Sequence, residues 1–447
     1  MPRKSLYAAL AAGALLRGAL HASPAITSTM ASRPELVTAL SSWRRVQESV
    51  YLFEATGSPY TGDVFHQPPL VFAAFYPVLS FPTSIQPIAT TLLFIAIDLL
   101  IAWGLARLCE LVHLLEEGRQ PQAQGNEIWL NKVPLSPVFA KEHLPTTVAC
   151  IYLFNPYSLG TSVAMATTSL THLTVLYSLL FAAHGAAAAS TLCLATATYL
   201  SIYPAVLVVP IALQLGVANR SESSRGSIAL ATTALLFVWL AALLYVSRTL
   251  TGDWQFLQET YVWIAKYSDL TPNVGIFWYF FIEVFDRFIP FFLLVFHIHP
   301  LVYVAPLYLR LSDRPQAYAC ALFGITSLFQ AYPSFGDAGF FLALASIHPK
   351  TVMSIKNRFV YALGMGVATC MQPVMWFLWL FPASGNANFF YNQTLVYQVF
   401  LSQLISAFIS ATMKRDKDIQ RYRKRLGQSA ASKRNDTAHD QSKDKLE

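Results

Sequence analysis

The sequence predicts an all-α protein that crosses a membrane many times, and three observations favour this class. Hydrophobic residues make up 55% of the 447 residues, and charged residues make up only 12%. The mean hydropathy of +0.44 is too high for a chain whose surface faces water. Apolar segments recur along nearly the whole chain and are separated by short polar loops. We therefore expect one polytopic domain of about twelve transmembrane helices.

The apolar segments give the expected spans in order. The first follows the basic start M-P-R-K and runs to about Leu20; its composition also fits a signal peptide, but we expect it to remain as a span. In the segment 146–159, the pair Asn155-Pro156 predicts a break in the helix. The further spans are expected at 70–81, 88–114, 170–183, 190–213, 228–246, 288–309, 317–329, 339–347, 359–381 and 395–413.

The first large loop, 27–69, combines an amphipathic segment with an irregular turn. Trp43, Val46, Val50 and Phe53 have the spacing of a helix that lies on the membrane surface. In the turn that follows, Asp63 and His66 could form an acid/base pair or simply fix the loop. The sequence leaves both interpretations open.

The charge pattern divides the chain into a membrane domain, 1–413, and a basic tail, 414–447, for which we expect disorder. Much of the net charge of +7 lies in this tail and in loop lysines and arginines. By the positive-inside rule both termini are expected in the cytosol. No basic stripe alternates with exposed aromatic residues, which argues against nucleic acid as a partner. Lys443 and Lys445 near the end resemble a dilysine signal for retrieval to the endoplasmic reticulum.

The cysteines and histidines do not predict a cofactor or a metal site. The five cysteines lie in or at the ends of apolar segments without C-x-x-C spacing. Cys109 has Arg107 and His113 nearby, but it lies late in a predicted helix, where the helix dipole disfavours a thiolate. His297 and His299 are two residues apart, so on a helix their side chains diverge.

The stretch Asp269–Arg287 is the principal candidate for a functional site. Prolines, asparagine and glycine first break the backbone, and a run of aromatic residues then leads into charged residues. On one continuous helix, Tyr279, Glu283, Asp286 and Arg287 would share a side. Two interpretations remain open here: a Glu283–Arg287 pair at the surface among aromatic anchors, or a polar pocket at the edge of the membrane.

A second candidate segment reads F-P-A-S-G-N-A-N-F-F-Y and holds Asn386 and Asn388 among aromatic residues. Amide groups of this kind bind sugar hydroxyls or phosphate oxygens, but they also cap turns. The residues alone do not separate these two roles.

Several motifs in the same order together resemble the class U subunit family of the glycosylphosphatidylinositol (GPI) transamidase complex. The similarity covers most of Leu40–Phe408. The motifs are S-P-Y-T-G-D-V-F-H, L-F-N-P-Y, S-I-Y-P, D-L-T-P-N-V-G-I-F-W-Y-F-F-I-E-V-F, Y-P-S-F-G-D and S-G-N-A-N-F-F-Y.

The resemblance implies a multi-pass protein of the endoplasmic reticulum membrane, in a complex whose cysteine protease-like catalytic subunit is a separate chain. That subunit attaches the GPI lipid to the carboxyl end of a cleaved protein. This chain would then be a non-catalytic subunit that scaffolds the complex and recognises the GPI lipid, with the signal of the proprotein as a further ligand. The site residues implied are Asp286, Arg287, Asn386, Asn388, Trp278, Tyr279, Phe281 and Glu283.

The implied fold is the GT-C-like scaffold of lipid-sugar mannosyltransferases, and this leaves an alternative function open. An active mannosyltransferase that uses dolichol-phosphate-mannose would need acidic residues in the first loop. Only Glu48 and Glu54 occur in the corresponding region, and they stand apart on the amphipathic segment. A secondary transporter built on the broken helix at Asn155 is a further alternative, although no inverted repeat is visible.

Overall fold

The fold consists of α-helices throughout the part of the chain that the computed structural model describes, residues 2–117, 137–220 and 223–443. The first ten helices are α1 (Pro2–His21), α2 (Pro24–Ala31), α3 (Trp43–Thr56), α4 (Pro69–Leu79), α5 (Gln86–Glu117), α6 (Leu144–Leu153), α7 (Pro156–Val163), α8 (Thr168–Ala183), α9 (Ala187–Leu200) and α10 (Val208–Ala218).

The second half of the chain adds ten more helices to the described structure. They are α11 (Arg225–Thr251), α12 (Trp263–Lys266), α13 (Phe277–Glu283), α14 (Ile289–Val302), α15 (Val304–Leu311), α16 (Pro315–Phe329), α17 (Phe335–Ser346), α18 (Pro349–Ser354), α19 (Arg358–Leu380) and α20 (Ala387–Lys443). Short 3₁₀ turns occur at Pro137–Phe139, Tyr203–Leu207 and Asp286–Phe288, and a π-helical turn occurs at Gln258–Val262.

Five helical segments in the described ranges are long and apolar enough to cross a membrane. Apolar helices of 10–17 residues accompany them and would cross only when tilted or joined in pairs. The helical class is confirmed, whereas the number of about twelve transmembrane helices and the GT-C-like scaffold stay predictions. The five long segments are Gln86–Leu115, Arg225–Thr251, Asp286–Leu311, Arg358–Leu380 and Ala387–Arg421.

Two of the expected spans are interrupted by residues with extended backbone angles. The break predicted in 146–159 is confirmed, because α6 ends at Leu153 and the Asn155 side chain caps α7 by accepting a hydrogen bond from the Tyr157 amide at 2.9 Å. The span expected at 190–213 also divides, since Ser201 has extended backbone angles. Neither segment forms one continuous helix.

The core lies where α5, α6, α8, α16 and α17 pack together. Ile101, Val148, Leu176, Leu322 and Phe340, one from each of these helices, are completely buried. The apolar surfaces of α11, α14 and α19 are mostly exposed. In a bilayer such surfaces face lipid or the helices of other proteins, because they gain nothing from contact with water.

The amphipathic segment in the first loop forms α3, but its apolar face packs on the protein. Trp43, Val46 and Val50 are buried. The Trp43 ring makes edge contacts with Phe75 and Phe94, with centroid distances of 5.0 and 5.5 Å. The apolar spacing thus identified a helix that docks on α4 and α5, rather than one whose apolar face lies in the membrane surface.

A buried ion pair joins the first helix to the core. The Arg17 Nε atom donates to Asp98 Oδ2 at 2.7 Å, and both side chains are at most 1% exposed. The Tyr152 hydroxyl donates to the other Asp98 oxygen at 2.8 Å, and Arg17 Nη1 donates to the Leu153 carbonyl at 2.9 Å. These bonds connect α1, α5 and α6 in an apolar interior, where an unpaired charge is costly.

The last helix, α20, does not end at residue 413, the expected end of the membrane domain. It continues to Lys443, through the tail for which the sequence predicts disorder. The division into a membrane domain and a tail therefore stays a prediction. Lys445 of the proposed retrieval signal lies outside the described residues, as does 118–136 between the expected spans 88–114 and 146–159.

The Arg17–Asp98 pair generates a stability prediction. Arg17→Met leaves the Asp98 carboxylate buried without a cation, so the free energy of unfolding should fall by about 3–5 kcal/mol. The double variant Arg17→Met/Asp98→Asn removes both charges and keeps an acceptor for Tyr152, so it should recover much of this loss. Denaturant unfolding in detergent measures both effects. A single variant as stable as the wild type, or a double variant no better than the single one, would contradict the prediction.

Candidate functional site

A cluster of buried aromatic side chains surrounds the stretch Asp269–Arg287. Its rings contact one another at short centroid distances, such as 4.6 Å between Tyr267 and Tyr332 and 5.1 Å between Tyr267 and Phe277. We call this group the aromatic cluster. Its buried members are Trp263, Tyr267, Phe277, Trp278, Phe281, Tyr332 and Phe390.

The backbone that enters the aromatic cluster is held by turns, as the sequence predicts. The Asn273 side-chain oxygen accepts a hydrogen bond from the Gly275 amide at 2.8 Å, and its side-chain nitrogen donates to the Tyr267 hydroxyl at 3.1 Å. A Cβ atom at Gly275 would lie only 2.7 Å from Pro333 Cδ, so this position requires glycine. The turn therefore fixes where α13 begins.

The structure places two of the expected lipid-contacting residues in the protein interior. Trp278 is fully buried, and Phe281 is 5% exposed. The Trp278 ring contacts Tyr391 and Phe390 at centroid distances of 5.5 and 6.0 Å. Their neighbours in this structure are other aromatic side chains, and their expected role, beside the acyl chains of the lipid or a partner helix, stays a prediction. They form part of the frame of the site.

The expected continuous helix through Arg287 is wrong. Helix α13 ends at Glu283, and Val284 and Phe285 are extended before a 3₁₀ turn begins at Asp286. Helical spacing therefore does not place Glu283 beside Arg287. The Arg287 guanidinium instead lies over the Phe288 ring, 4.6 Å from its centroid.

Three of the expected site residues come together at the edge of the aromatic cluster. The Tyr279 side chain lies close to the side chains of Glu283 and Asn388. The Tyr279 ring also stacks on Tyr391, with centroids 4.8 Å apart. Glu283 and Asn388 are exposed, so this group presents a carboxylate, a phenol and an amide to a ligand. We call Tyr279, Glu283 and Asn388 the polar edge.

Asn386 lies next to the polar edge, immediately before α20. Its carbonyl accepts a hydrogen bond from the Phe389 amide at 3.1 Å, and its side chain is exposed. Asp286 and Arg287 are also exposed and stand at the start of the long apolar segment Asp286–Leu311. Polar groups thus stand at the beginning of two long apolar helical segments.

Sequence reasoning missed the ion pair that holds this region against the first loop. Arg45 Nη2 donates to Asp269 Oδ2 at 2.7 Å, although the two residues are 224 positions apart. Tyr332 bridges the Asp269 backbone through its hydroxyl, at 3.2 Å from the nitrogen and 3.1 Å from the oxygen. The sequence carries no signal for this pairing, because no local pattern connects loops so distant in the chain.

Competing effects set the pKa of Asp269. Burial alone raises the pKa of this carboxyl group, but hydrogen bonds from the Thr271 side chain and backbone and from Arg45 outweigh that effect. The pKa is therefore below its ordinary value. Asp269 consequently stays ionised and paired at neutral pH.

The other candidate residues of the sequence are dispersed. His66 Nε2 lies 3.1 Å from Asp63 Oδ1, so the two side chains are paired. His66 also forms a hydrogen bond with the Glu259 carbonyl through Nδ1, which ties the first loop to a distant segment. The contacts therefore agree with a role in fixing the loop. Glu48 and Glu54 are exposed on α3. The alternative of a carboxylate site in the first loop therefore has no converging set of acids among the described residues.

His297 and His299 diverge as predicted. His297 contacts the Tyr203 hydroxyl and the Ala265 carbonyl, at 3.0 and 3.2 Å. His299 contacts the Tyr303 hydroxyl at 3.1 Å. Each ring is thus committed to its own hydrogen-bond partners.

Fold and site define a multi-pass helical membrane protein with exposed polar groups set on a buried aromatic frame. Among protein families, the one described as "GPI transamidase subunit PIG-U" matches residues 11–397. The match covers well over half of the chain. This chain belongs to that family.

Curated relatives agree over nearly the full length. The chain is 31% identical over 421 residues to the GPI-anchor transamidase component PIGU of Homo sapiens, covering 92% of this chain and 94% of that protein. It is 29% identical over 385 residues to the GPI transamidase component GAB1 of Saccharomyces cerevisiae, covering 86% and 88%. A GAB1 homolog of Schizosaccharomyces pombe is 31% identical over 387 residues. These names favour a transamidase subunit over the mannosyltransferase and transporter alternatives.

The Arg45–Asp269 pair generates a pH prediction. Because the pKa of Asp269 is lowered in the folded state, the pair stabilises the protein above the unfolded pKa of about 3.9, and this contribution disappears as the pH falls through the folded value. Arg45→Met should therefore lower the free energy of unfolding by about 1 kcal/mol at pH 7. Unfolding of both proteins in detergent from pH 7 to pH 3 should show the difference shrinking. A difference that stays constant to pH 3 would contradict this origin.

Proposed function

We propose that this chain is a non-catalytic subunit of GPI transamidase that recognises the GPI lipid and scaffolds the complex. Family membership and the names of the relatives support its place among other subunits of the transamidase. The cysteine protease-like catalytic subunit is then a partner chain. This assignment agrees with the positions of the cysteines, since Cys109 and Cys320 are buried and Cys370 is exposed on the apolar helix α19.

The polar edge supports the proposal of lipid recognition, because it lies next to the start of two long apolar segments. A glycolipid has a polar headgroup joined to hydrocarbon chains, so its site needs both surfaces in contact. The side chains of Asn386 and Asn388 supply amide donors and acceptors for hydroxyl or phosphate oxygens. Arg287 supplies a cation for phosphate, and Glu283 and Asp286 supply carboxylates for an amine or hydroxyl groups.

We expect the acyl chains to contact the exposed apolar side chains of the two helical segments that begin at this headgroup site. On α14, Phe291, Leu294 and Val295 are 60%, 59% and 41% exposed, and on α20 Phe389 is 50% exposed. Trp278 and Phe281, which the resemblance assigns to the same site, lie behind this surface among other aromatic side chains. The two buried residues keep their importance as the frame that holds Tyr279 in place.

The setting we propose is the membrane of the endoplasmic reticulum, with both termini in the cytosol and the polar edge in the lumen. The basic segment from Lys414 onward and the loops with Lys350, Lys356 and Arg358 favour the cytosolic side. Alternation then brings 269–277 and 383–392 to the lumenal side. The headgroup site would therefore face the compartment in which proproteins present their cleaved ends.

The amide side chains provide the test. The double variant Asn386→Ala/Asn388→Ala removes at least two hydrogen bonds to the headgroup, so GPI lipid recovered with the complex should fall about tenfold. Mass spectrometry of lipids bound to the purified complex measures the loss, and cell-surface GPI-anchored protein reports its consequence.

Asn357→Ala is the matched control, because Asn357 is also exposed and directly precedes a long apolar helix, α19. This control should retain wild-type lipid, and all variants should assemble normally with the other subunits. Wild-type lipid content in the double variant would remove both amides from the site.

A further inference from the structure

A polar cavity of about 60 Å³ lies beside the aromatic cluster. Five separate segments of the chain form its walls: 38–41, 66–71, 167–171, 200–201 and 330–337. It shares Tyr332 with the aromatic cluster, and the His66 ring in its wall stacks on Trp263 at a centroid distance of 3.8 Å. A volume of this size holds several water-sized groups, since one such group needs about 10–15 Å³.

Gln67 indicates that the cavity is built to hold a ligand. Its side chain is buried, with 4% exposure. The Oε1 atom accepts a hydrogen bond from the Thr167 hydroxyl at 2.9 Å, but the Nε2 atom has no hydrogen-bond partner among the described residues. A buried amide donor without a partner is costly, so it calls for an acceptor inside the cavity.

The charge of the cavity decides which ligand fits. The residues that line it include no lysine or arginine, and its carboxylate, Asp337, is already paired. One Asp337 oxygen lies 3.0 Å from His172 Nε2, and the other accepts a hydrogen bond from the Ser334 amide at 2.8 Å. His66, the titratable base in these walls, already lies beside a carboxylate, with Nε2 3.1 Å from Asp63 Oδ1. A phosphate would therefore find no free counter-charge in these walls and would meet an acid. The ligand is therefore neutral.

The walls mix hydroxyl groups with aliphatic side chains. Thr171 and Ser201 contribute hydroxyls, whereas Leu40, Val71 and Leu200 contribute apolar surface. A sugar ring has the same combination, with hydroxyl groups at its rim and C–H bonds on its faces. We propose that this cavity binds the edge of a neutral sugar ring, with Gln67 Nε2 donating to one of its hydroxyl oxygens.

The identity of the sugar's source rests on the proposed function: the headgroup of the bound glycolipid would supply the ring. The chemistry of the cavity does not depend on that function, because it follows from the unpaired amide and the neutral walls. The two proposals therefore fail separately. The polar edge would hold charged and amide-binding parts of the headgroup, and the cavity would hold a neutral part.

Saturation-transfer difference NMR on the full complex, washed free of bound lipid in detergent, tests the cavity directly. Methyl α-mannoside is the probe, and inorganic phosphate is the competitor. The wild-type complex should transfer saturation to the mannoside, and phosphate should not displace it. Gln67→Leu removes the donor and should weaken binding about fivefold. Ser201→Phe fills the cavity and should abolish the signal.

Gln372→Leu is the matched control, because Gln372 is a fully buried glutamine on α19 with both amide atoms unpartnered, outside this cavity. It should keep the wild-type signal. Equal signals in all four proteins, or none in the wild type, would overturn the proposal and leave a cavity that holds only water. Displacement by phosphate would overturn its neutral specificity.

The source of the sugar is tested by adding GPI lipid to the same sample. Displacement of the mannoside signal would assign the cavity to the glycolipid headgroup, and persistence at saturating lipid would overturn that assignment. A wild-type complex that binds the mannoside but no added GPI lipid would overturn the proposed function while supporting the sugar site.

Discussion

The arrangement of the helices depends above all on one constraint: polar groups inside the bilayer need hydrogen-bond partners. Inside a bilayer no water competes for a hydrogen bond, so a buried charge or a freed backbone group needs a partner from the chain itself. Arg17 meets this need with Asp98 and the Leu153 carbonyl, and the Asn155 side chain caps the helix that follows its break. Asp337 forms hydrogen bonds with both His172 and Ser334. Helices that are broken or carry charge are thereby held in one arrangement.

The exposed polar groups of the candidate site stand where a ligand can reach them. The aromatic cluster packs rigid rings between the loop that begins at Asp269 and the start of α20, and Arg45 ties this assembly to the first loop. On that frame, Tyr279, Glu283 and Asn388 form an exposed edge. Aromatic side chains suit this task because they supply much contact area with few rotatable bonds. The frame and the edge are thus different sets of residues with different expected sensitivities: changes in the frame affect folding, whereas changes at the edge affect lipid retention.

The sequence predicts the helices well and the contacts between them poorly. The apolar run expected at 228–246 corresponds to α11, Arg225–Thr251, and the Asn-Pro pair marks a real break, because both signals are local. The burial of Trp278 and the end of α13 at Glu283 could not be predicted, since helical periodicity does not reveal what covers a face. Arg45 and Asp269 likewise pair across 224 positions. The order of the motifs, by contrast, predicts the family, and the family match over residues 11–397 confirms this prediction.

We propose that this chain contributes lipid recognition to a transamidase whose catalytic residue lies on another subunit. The most direct measurement is native mass spectrometry of the tagged full-length chain, purified in mild detergent with whatever remains bound to it. We expect a complex that contains a cysteine protease-like subunit and carries GPI lipid. Recovery of the chain alone, with transfer of mannose from a dolichol-linked donor, would contradict it. A complete complex that carries only bulk phospholipid would contradict lipid recognition while leaving family membership in place.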